Sequence, residues 1–263
     1  MYEFNYVKPA TVADAIKAST EDSRYLAGAQ SLVQSMKLRM ASAESLIDLG
    51  AIPGLKDISA TDTHVKIGAM ATHAQIAADA NVQAHLPGLA TMAGGIGDPM
   101  VRNMGTLGGS IANADPAACY PAAVLALDAI IETDRRKIPA DAFFTGMFET
   151  ALEADELIVA IHFARAEQSA YYKHKQPASR FALVGVMVAK QAGQVRVGVT
   201  GAAASAFRWT DAEAALTTSF SAAAISDLKL AENGLNQDMH GSAAYRAAMV
   251  GVCARRAVEH ASA

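Results

Sequence analysis

The hydrophobic residues of the chain recur with two different periods, which divide much of it into short helices and strands. Leu32, Met36 and Met40 follow one another at helical spacing, whereas residues 65–69 alternate between apolar and polar as a half-buried strand does. Thr11 precedes another helical stretch with Asp14 three residues later, which approaches a capping box. This pattern predicts helices at 11–19, 32–40, 72–78 and 120–128, and strands at 24–27, 46–49, 65–69, 130–132 and 158–163.

The pattern changes around Glu167-Gln168-Ser169, where polar residues interrupt the apolar segments. Beyond this point, continuous apolar runs at 183–189 and 195–199 are separated by a polar, glycine-containing linker, which predicts a β-hairpin with a longer loop. Alanine-rich helices are predicted at 210–216 and 245–260. We therefore place a domain boundary near residue 168. Within the part before this boundary, a second block of helices and strands begins near residue 55.

Length, composition and charge limit the classes of protein to which the chain can belong. At 263 residues the chain is long for one domain, so two domains are expected. Hydrophobic residues make up 52%, yet no stretch approaches the roughly 20 apolar residues that span a bilayer. The net charge is -4 without a basic block, so we expect no nucleic-acid partner. The first residues lack the basic and apolar regions of a signal peptide, which predicts a cytoplasmic protein.

The chain offers few ligands for a metal ion. Its two cysteines, Cys119 and Cys253, are far apart in sequence, and the histidines are scattered without an HxxxH pair. Iron–sulfur clusters and structural zinc ions need a set of cysteine or histidine ligands that this chain does not provide. We therefore expect neither a metal site nor a catalytic residue in this chain.

Two glycine-containing turns carry the strongest chemical signal. The first turn, Ala27-Gly28-Ala29-Gln30-Ser31-Leu32, lies between a predicted strand and a predicted helix. The second turn, Gly105-Thr106-Leu107-Gly108-Gly109-Ser110, belongs to a glycine-rich run at 94–116. Such a run is not expected inside a regular helix, because each glycine there costs about 0.5–1 kcal/mol relative to alanine. Both turns offer backbone N–H groups, small side chains and hydroxyls, as a pyrophosphate site requires.

Known phosphate motifs narrow the interpretation of these turns. Neither turn matches GxGxxG followed by an acidic residue, nor GxxxxGK followed by Ser or Thr, which disfavours a Rossmann domain and a P-loop. Each turn by itself is also open to a purely structural interpretation. Two such turns without a P-loop lysine favour a dinucleotide bound between two lobes of the chain.

Both turns and their flanking residues resemble a known family. The first turn with Met36-Lys37-Leu38-Arg39 resembles the first flavin motif of the FAD-binding medium subunits of molybdenum hydroxylases, the family of xanthine, carbon monoxide and aldehyde dehydrogenases. The segment 96–123 resembles the second motif. The resemblance implies an α+β fold with a two-lobed, PCMH-like FAD-binding domain at 1–168, whose lobes are about 1–54 and 55–168. It also implies a small domain of antiparallel sheet and helices at 169–263, similar to the C-terminal domain of carbon monoxide dehydrogenase flavoproteins.

The same resemblance assigns expected roles to individual residues. The two turns would hold the FAD pyrophosphate from opposite lobes, and Asp115 would lie near the ribityl or phosphate region. Ile96 matches an apolar position beside the isoalloxazine ring, and Phe181 and Ala182 fall where the C-terminal domain approaches the flavin. Lys173 is expected to be a nearby charge, with a solvated surface lysine as the alternative. The expected cofactor-binding residues are Leu26, Ala27, Gly28, Ala29, Gln30, Ser31, Leu32, Ile96, Thr106, Gly108, Gly109, Ser110, Asp115, Cys119, Lys173, Phe181 and Ala182.

Two positions depart from the family pattern. Ala29 replaces a frequent glycine, and its Cβ atom is expected to fit the turn only with a negative φ angle. Cys119 replaces a frequent aspartate that can accept hydrogen bonds from FAD, whereas a thiol is a poor acceptor. Loss of one charge-assisted hydrogen bond is expected to weaken FAD binding by about 1.5–3 kcal/mol if nothing replaces it.

The resemblance implies a chain that passes electrons rather than one that oxidises substrate. Electrons would run from molybdenum through iron–sulfur clusters to non-covalently bound FAD and then to an external acceptor. Two separated cysteines cannot hold such clusters, so molybdopterin and the 2Fe–2S clusters are expected on a large molybdenum subunit and a small iron–sulfur subunit, in a dimer of heterotrimers. Two alternatives stay open: a stand-alone FAD-dependent oxidase, and a scaffold subunit that has lost FAD.

Overall fold

The computed structural model describes residues 1–263 as an α+β protein with three main sheets. Its strands are β1 (Asn5–Val7), β2 (Ser23–Leu26), β3 (Ser45–Asp48), β4 (Ile58–Ala60), β5 (His64–Gly68), β6 (Ile130–Thr133), β7 (Lys137–Pro139), β8 (Phe144–Gly146), β9 (Glu149–Thr150), β10 (Ile158–Ala164), β11 (Gln168–Lys175), β12 (Ala182–Gln191), β13 (Gln194–Thr200) and β14 (Phe207–Arg208). Its helices are α1 (Val12–Lys17), α2 (Leu32–Lys37), α3 (His73–Ala78), α4 (Ala80–His85), α5 (Pro87–Gly94), α6 (Pro99–Met104), α7 (Leu107–Asn113), α8 (Tyr120–Ala126), α9 (Thr210–Thr218) and α10 (Ala243–Ser262). No helix combines the length and apolar character that a membrane crossing requires.

The first part of the chain forms a three-stranded parallel sheet in the order β1-β3-β2. Helix α1 begins after Thr11, whose hydroxyl accepts a hydrogen bond from the backbone N–H of Asp14 at 3.1 Å. One face of the central strand β3 buries Ile47 completely, in a core that also contains Ala15 of α1. The first turn follows β2 directly, so this small sheet fixes where the turn begins.

The middle of the chain forms a five-stranded antiparallel sheet in the order β4-β5-β10-β6-β7. Its central strands pair Ile67 of β5 with Ile161 of β10, and both side chains are fully buried. Helix α8 is buried along its whole length and shares the same core. The second turn follows α6 and includes the first residues of α7. Helix α7 starts next to the end of β5: the backbone N–H of Gly108 donates to the carbonyl of Ala69 at 2.8 Å.

The last part of the chain forms a four-stranded antiparallel sheet in the order β11-β12-β13-β14. Strand β12 alternates between two cores, as side chains on opposite faces of a sheet must. Its Met187 belongs to the core around α8, whereas Val186 packs with residues of α9 and α10. A Cβ atom on Gly198 of β13 would lie 2.9 Å from the backbone carbonyl carbon of Ala122 in α8. The sheet therefore packs directly on a helix from before residue 168, and the domain limits at 54 and 168 stay a prediction.

Two local expectations are corrected. The hairpin between β12 and β13 has no long loop, because Gln191 pairs with Gln194 and only Ala192 and Gly193 connect them. Their φ angles of 48° and 77° suit the tight turn that matches the twist of paired strands. The glycine-rich run also contains helices α6 and α7. Glycine is tolerated in α7 because Gly108 and Gly109 occupy its first turn, where the helix meets neighbouring backbone.

A buried carboxylate beside the middle sheet predicts acid sensitivity. The side chain of Glu156 is fully buried and accepts hydrogen bonds from Arg136 at 2.7 and 2.8 Å and from Thr133 at 2.8 Å. The Arg136 guanidinium lowers the pKa of Glu156 from 4.5 to about 2. Its contribution to folding is therefore complete above pH 4.5 and is lost as the pH falls towards about 2.

We expect Glu156→Gln to lower the free energy of unfolding at pH 7 and to flatten its decline below pH 4.5. Urea unfolding followed by circular dichroism across this pH range measures both effects. Glu259→Gln, at an exposed position of α10, is the control and should keep the wild-type pH profile. An unchanged acid dependence in Glu156→Gln would contradict the prediction.

Candidate functional site

A large cavity lies where the three sheets of the chain approach one another. Its volume is about 780 Å³, and its lining comes from the first turn, the second turn, the start of β10 and the segment between β11 and β12. Ligand pockets for small molecules and cofactors commonly occupy about 300–1,000 Å³. The cavity is therefore large enough for an extended cofactor.

Most residues expected to bind the cofactor meet at this cavity. Those that line it are Ala27, Gly28, Ala29, Gln30, Ser31, Leu32, Ile96, Thr106, Gly108, Gly109, Ser110, Asp115, Cys119, Lys173 and Phe181. Leu26 and Ala182 do not line it, which corrects their placement. Leu26 packs around Met36 on the opposite face of its strand from Ala27, and Ala182 is only 3% exposed at the start of β12.

The first and second turns touch each other through glycine. A Cβ atom on Gly28 would collide with the carbonyl oxygen of Met104 and would lie 2.6 Å from the Cα atom of Gly105. Similarly, a Cβ atom on Gly109 would lie 3.4 Å from that of Ala27. The contacts at Gly28 involve backbone atoms, which cannot rotate away. The glycines therefore let two segments from different sheets meet at one end of the cavity.

The two turns differ in the backbone donors that they offer. In the first turn, the N–H groups of Gly28, Ala29, Gln30 and Ser31 have no hydrogen-bond partner in the protein. In the second turn, the N–H groups of 107–110 all bond within the protein: Gly108 donates to Ala69, and Gly109 donates to the Thr106 hydroxyl at 3.2 Å. The expectation that both turns supply free backbone donors is therefore wrong for the helical part of the second turn.

Unpaired N–H groups in a tight turn form a concave site for an anion. Successive N–H groups point to one side when adjacent residues alternate between right- and left-handed conformations. Ala29 has the left-handed φ angle of 63°, which corrects the expectation of a negative φ at this position. The hydroxyls of Ser31 and Ser110 have no protein partner either and lie in the cavity lining. The first turn is thus the better anion-binding element of the two.

Replacing Ala29 with glycine is expected to stabilise the protein. The left-handed conformation costs a residue with a Cβ atom about 1–2 kcal/mol, and glycine removes this cost. Glycine also gives the unfolded chain more conformational entropy, which cancels about 0.5–1 kcal/mol of that gain. We therefore expect Ala29→Gly to raise the free energy of unfolding by about 0.5–1 kcal/mol in urea titrations. Ala27 does not have a positive φ angle, so Ala27→Gly relieves no strain and should destabilise the protein. Equal destabilisation by both substitutions would contradict the left-handed conformation of Ala29.

Three basic side chains hold the segment around Ile96 at the cavity wall. Lys173 donates to the carbonyl of Gly95 at 3.0 Å, Arg102 to that of Ile96 at 3.0 Å and Arg180 to that of Gly97 at 3.4 Å. Lys173 is therefore not simply a solvated surface residue. Its Nζ atom also lies 3.6 Å from Sγ of Cys119, which is 7% exposed. This wall combines an apolar side chain with fixed positive charges.

Other parts of the cavity lining were missed by sequence reasoning. The wall near the end of β2 includes Tyr25, Leu49, Leu152 and Leu157, and the Tyr25 hydroxyl donates to the carbonyl of Asp155 at 3.0 Å. Apolar residues without a motif give no local signal for ligand contact. His73 also lines the cavity, and its place after the helix-capping residue Thr72 was visible in the sequence without suggesting a role in binding.

Comparisons with known proteins agree with this architecture. Residues 2–165 match the model of the family described as FAD binding domain in molybdopterin dehydrogenase. The nicotine 6-hydroxylase medium subunit of Paenarthrobacter nicotinovorans is 35% identical over 98% of this chain and 97% of its own. The carbon monoxide dehydrogenase medium chain of Hydrogenophaga pseudoflava is 36% identical over 98% and 96%. A solved structure of reconstituted carbon monoxide dehydrogenase from Oligotropha carboxidovorans superposes with a TM-score of 0.90 at 33% identity, covering 99% of this chain and 98% of that one.

Proposed function

The chain belongs to the family of FAD-binding domains of molybdopterin dehydrogenases, and we propose on this premise that it is the FAD-carrying electron-transfer subunit of a molybdenum hydroxylase. In this proposal, substrate is oxidised on another subunit. Electrons then pass from iron–sulfur clusters of a partner through FAD in this chain to an external acceptor. The observation that carries the proposal is the row of unpaired N–H groups in the first turn, whose residues line the cavity together with those of the second turn.

The residues of the cavity fit an elongated dinucleotide with a central diphosphate. The unpaired N–H groups of 28–31 suit the negatively charged oxygens, and the Ser31 and Ser110 hydroxyls add donors that can rotate. Gly28 lets the two turns meet at this end of the cavity, which brings the donors of both segments close together. We assign the pyrophosphate of FAD to this end of the cavity.

The wall around Ile96 suits the flavin ring. Ile96 and Phe181 offer apolar surface, and Phe181 is 51% exposed at the cavity. Lys173 adds a positive charge that is held by the Gly95 carbonyl. Bound FAD supplies the redox chemistry, whereas this chain binds and orients the cofactor and adjusts its surroundings.

The cysteine content and the relatives of this chain support the proposal of partner subunits. Cys119 and Cys253 are both buried and lie in different cores, so they provide no ligand set for an iron–sulfur cluster. The relatives described above are medium subunits or medium chains of larger enzymes. We propose a small iron–sulfur subunit and a large molybdenum subunit as partners, assembled as a dimer of heterotrimers.

Titration of the purified full-length chain with FAD tests the proposed cofactor role. We expect saturable binding with quenching of flavin fluorescence and a perturbed visible spectrum. Acid precipitation should release all of the flavin into the supernatant, because FAD is bound non-covalently. Co-expression with candidate iron–sulfur and molybdenum subunits, followed by size-exclusion chromatography, should give a complex in which substrate reduces the flavin.

The alternatives predict different results in the same experiments. A stand-alone oxidase would be an active monomer that contains only FAD, and flavin that stays in the acid precipitate would favour it. For a scaffold that has lost FAD, the isolated chain would remain colourless, and added FAD would keep its full fluorescence with the isolated chain and with the assembled complex. Either result would contradict the proposed function.

A further inference from the structure

His73 is a buried side chain of the cavity that none of the roles above uses. It is the first residue of α3, is only 5% exposed and lines the cavity. Its Nδ1 atom lies 3.2 Å from the hydroxyl of Tyr120, and its Nε2 atom has no hydrogen-bond partner in the protein. One ring nitrogen is therefore engaged inside the core, whereas the other is available to a ligand.

Tyr120 determines which ring nitrogen carries the proton. The Tyr120 side chain is completely buried, and Nδ1 of His73 is the one acceptor within reach of its hydroxyl. A buried donor without an acceptor is costly, so the hydroxyl donates to Nδ1. In a neutral imidazole the other nitrogen then carries the hydrogen. Burial and the nearby charge of Arg102 lower the pKa of His73 to about 4, so the ring is neutral at pH 7.

The free nitrogen lies at the contact between the two turns. A Cβ atom on Gly105 would lie 2.5 Å from Nε2 of His73, and Gly105 is also the residue that Gly28 touches. The backbone N–H of His73 donates to the carbonyl of Gly105 at 3.0 Å, which fixes the helix start against the second turn. His73 therefore lies on the side of the cavity where backbone donors at 107–110 are already engaged.

We propose that His73 is a binding residue for the FAD pyrophosphate and donates a hydrogen bond from Nε2 to one of its phosphate oxygens. The inference rests on the proposed function. The first turn supplies backbone donors from one side, and the neutral imidazole of His73 adds a donor alongside the Ser110 hydroxyl on the other side. A neutral donor adds a hydrogen bond to the anion without placing a buried charge next to Arg102.

The affinity of the full-length chain for FAD, ADP and riboflavin, measured by fluorescence or calorimetry, tests this role. His73→Phe keeps an aromatic ring at the site but removes the donor. It is expected to weaken FAD and ADP binding by about 10- to 100-fold and to leave riboflavin binding unchanged, because riboflavin has no phosphate. His240→Phe, at an exposed position, is the control and should bind all three ligands like the wild type.

Two results would overturn the role of His73 without affecting the proposed function. One is unchanged affinity of His73→Phe for FAD and ADP. The other is a loss of riboflavin affinity as large as the loss of FAD affinity, which would indicate a packing role. A wild-type chain that binds none of the three ligands would instead contradict the proposed function as well. If His73→Phe does not fold, nitrogen-15 NMR of the wild type decides: we expect the Nε2–H tautomer and a shift of this Nε2–H signal on addition of FAD or ADP. The opposite tautomer, or no shift, would overturn the inference.

Discussion

Replacing Gly28 with alanine is expected to abolish stable FAD binding. The added Cβ atom would collide with the carbonyl oxygen of Met104 and approach the Cα atom of Gly105 to 2.6 Å. Both are backbone atoms, so the first and second turns must move apart. Such overpacking costs about 1–3 kcal/mol or more, and displacement of the unpaired N–H groups adds to the loss. We expect FAD affinity to fall by about 100-fold or more in fluorescence titrations.

A second glycine near the cavity provides a matched control. Gly94 ends α5, and a Cβ atom there would lie at an ordinary 3.7 Å from that of Ala77. Gly94→Ala should therefore keep wild-type FAD affinity and gain slightly in thermal stability. Wild-type affinity in Gly28→Ala would contradict the close contact between the turns. Equal losses in both variants would indicate a general sensitivity to substitution.

Replacing Cys119 with aspartate is expected to strengthen FAD binding. Cys119 lines the cavity, precedes the first residue of α8 and lies 3.6 Å from Nζ of Lys173. A carboxylate at this position would pair with the Lys173 ammonium and would be stabilised by the N-terminus of α8. It also offers a charged hydrogen-bond acceptor, which is worth about 1.5–3 kcal/mol when satisfied. We expect FAD to bind about 10- to 100-fold more tightly to Cys119→Asp.

Cys119→Ser separates the effect of charge from that of size. A serine hydroxyl is close in size to the thiol but carries no charge, so we expect a change in FAD affinity of less than about threefold. Dissociation constants from fluorescence titration of all three proteins allow a direct comparison. If Cys119→Asp bound FAD no more tightly than Cys119→Ser, this position would not be a cofactor contact.

The regular elements of this fold were predictable because local signals and burial agree. Thr11 and Thr72 begin helices as N-caps, and the predicted strands around residue 65 and residue 161 pair at the centre of one sheet. The antiparallel sheet and helices after residue 168 are also present. The α+β fold is confirmed, and so is the family resemblance that two short motifs indicated.

The unpredicted features depend on contacts between distant segments. Ala29 takes a left-handed φ angle that its residue type disfavours, which the sequence alone does not reveal. Whether an N–H group is free depends on neighbours such as Ala69, which comes from another element. The apolar wall at Leu152 and Leu157 has no motif, and only the folded chain brings it to the first turn. Assignment of individual residues to FAD contacts stays a prediction.

The packing of α8 on β13 has a consequence for the order of events during synthesis. Residues 120–126 leave the ribosome well before the strand that covers them, with Gly198 opposite Ala122. Domains generally fold as units from the N-terminus during synthesis. In this chain, the apolar helix α8 is covered only by residues that are synthesised almost 80 positions later. The cavity wall that holds Lys173 and Phe181 is made in the same interval. A nascent chain halted near residue 168 would therefore expose apolar surface of α8, and the cavity would be complete only after residues up to Phe181 have emerged.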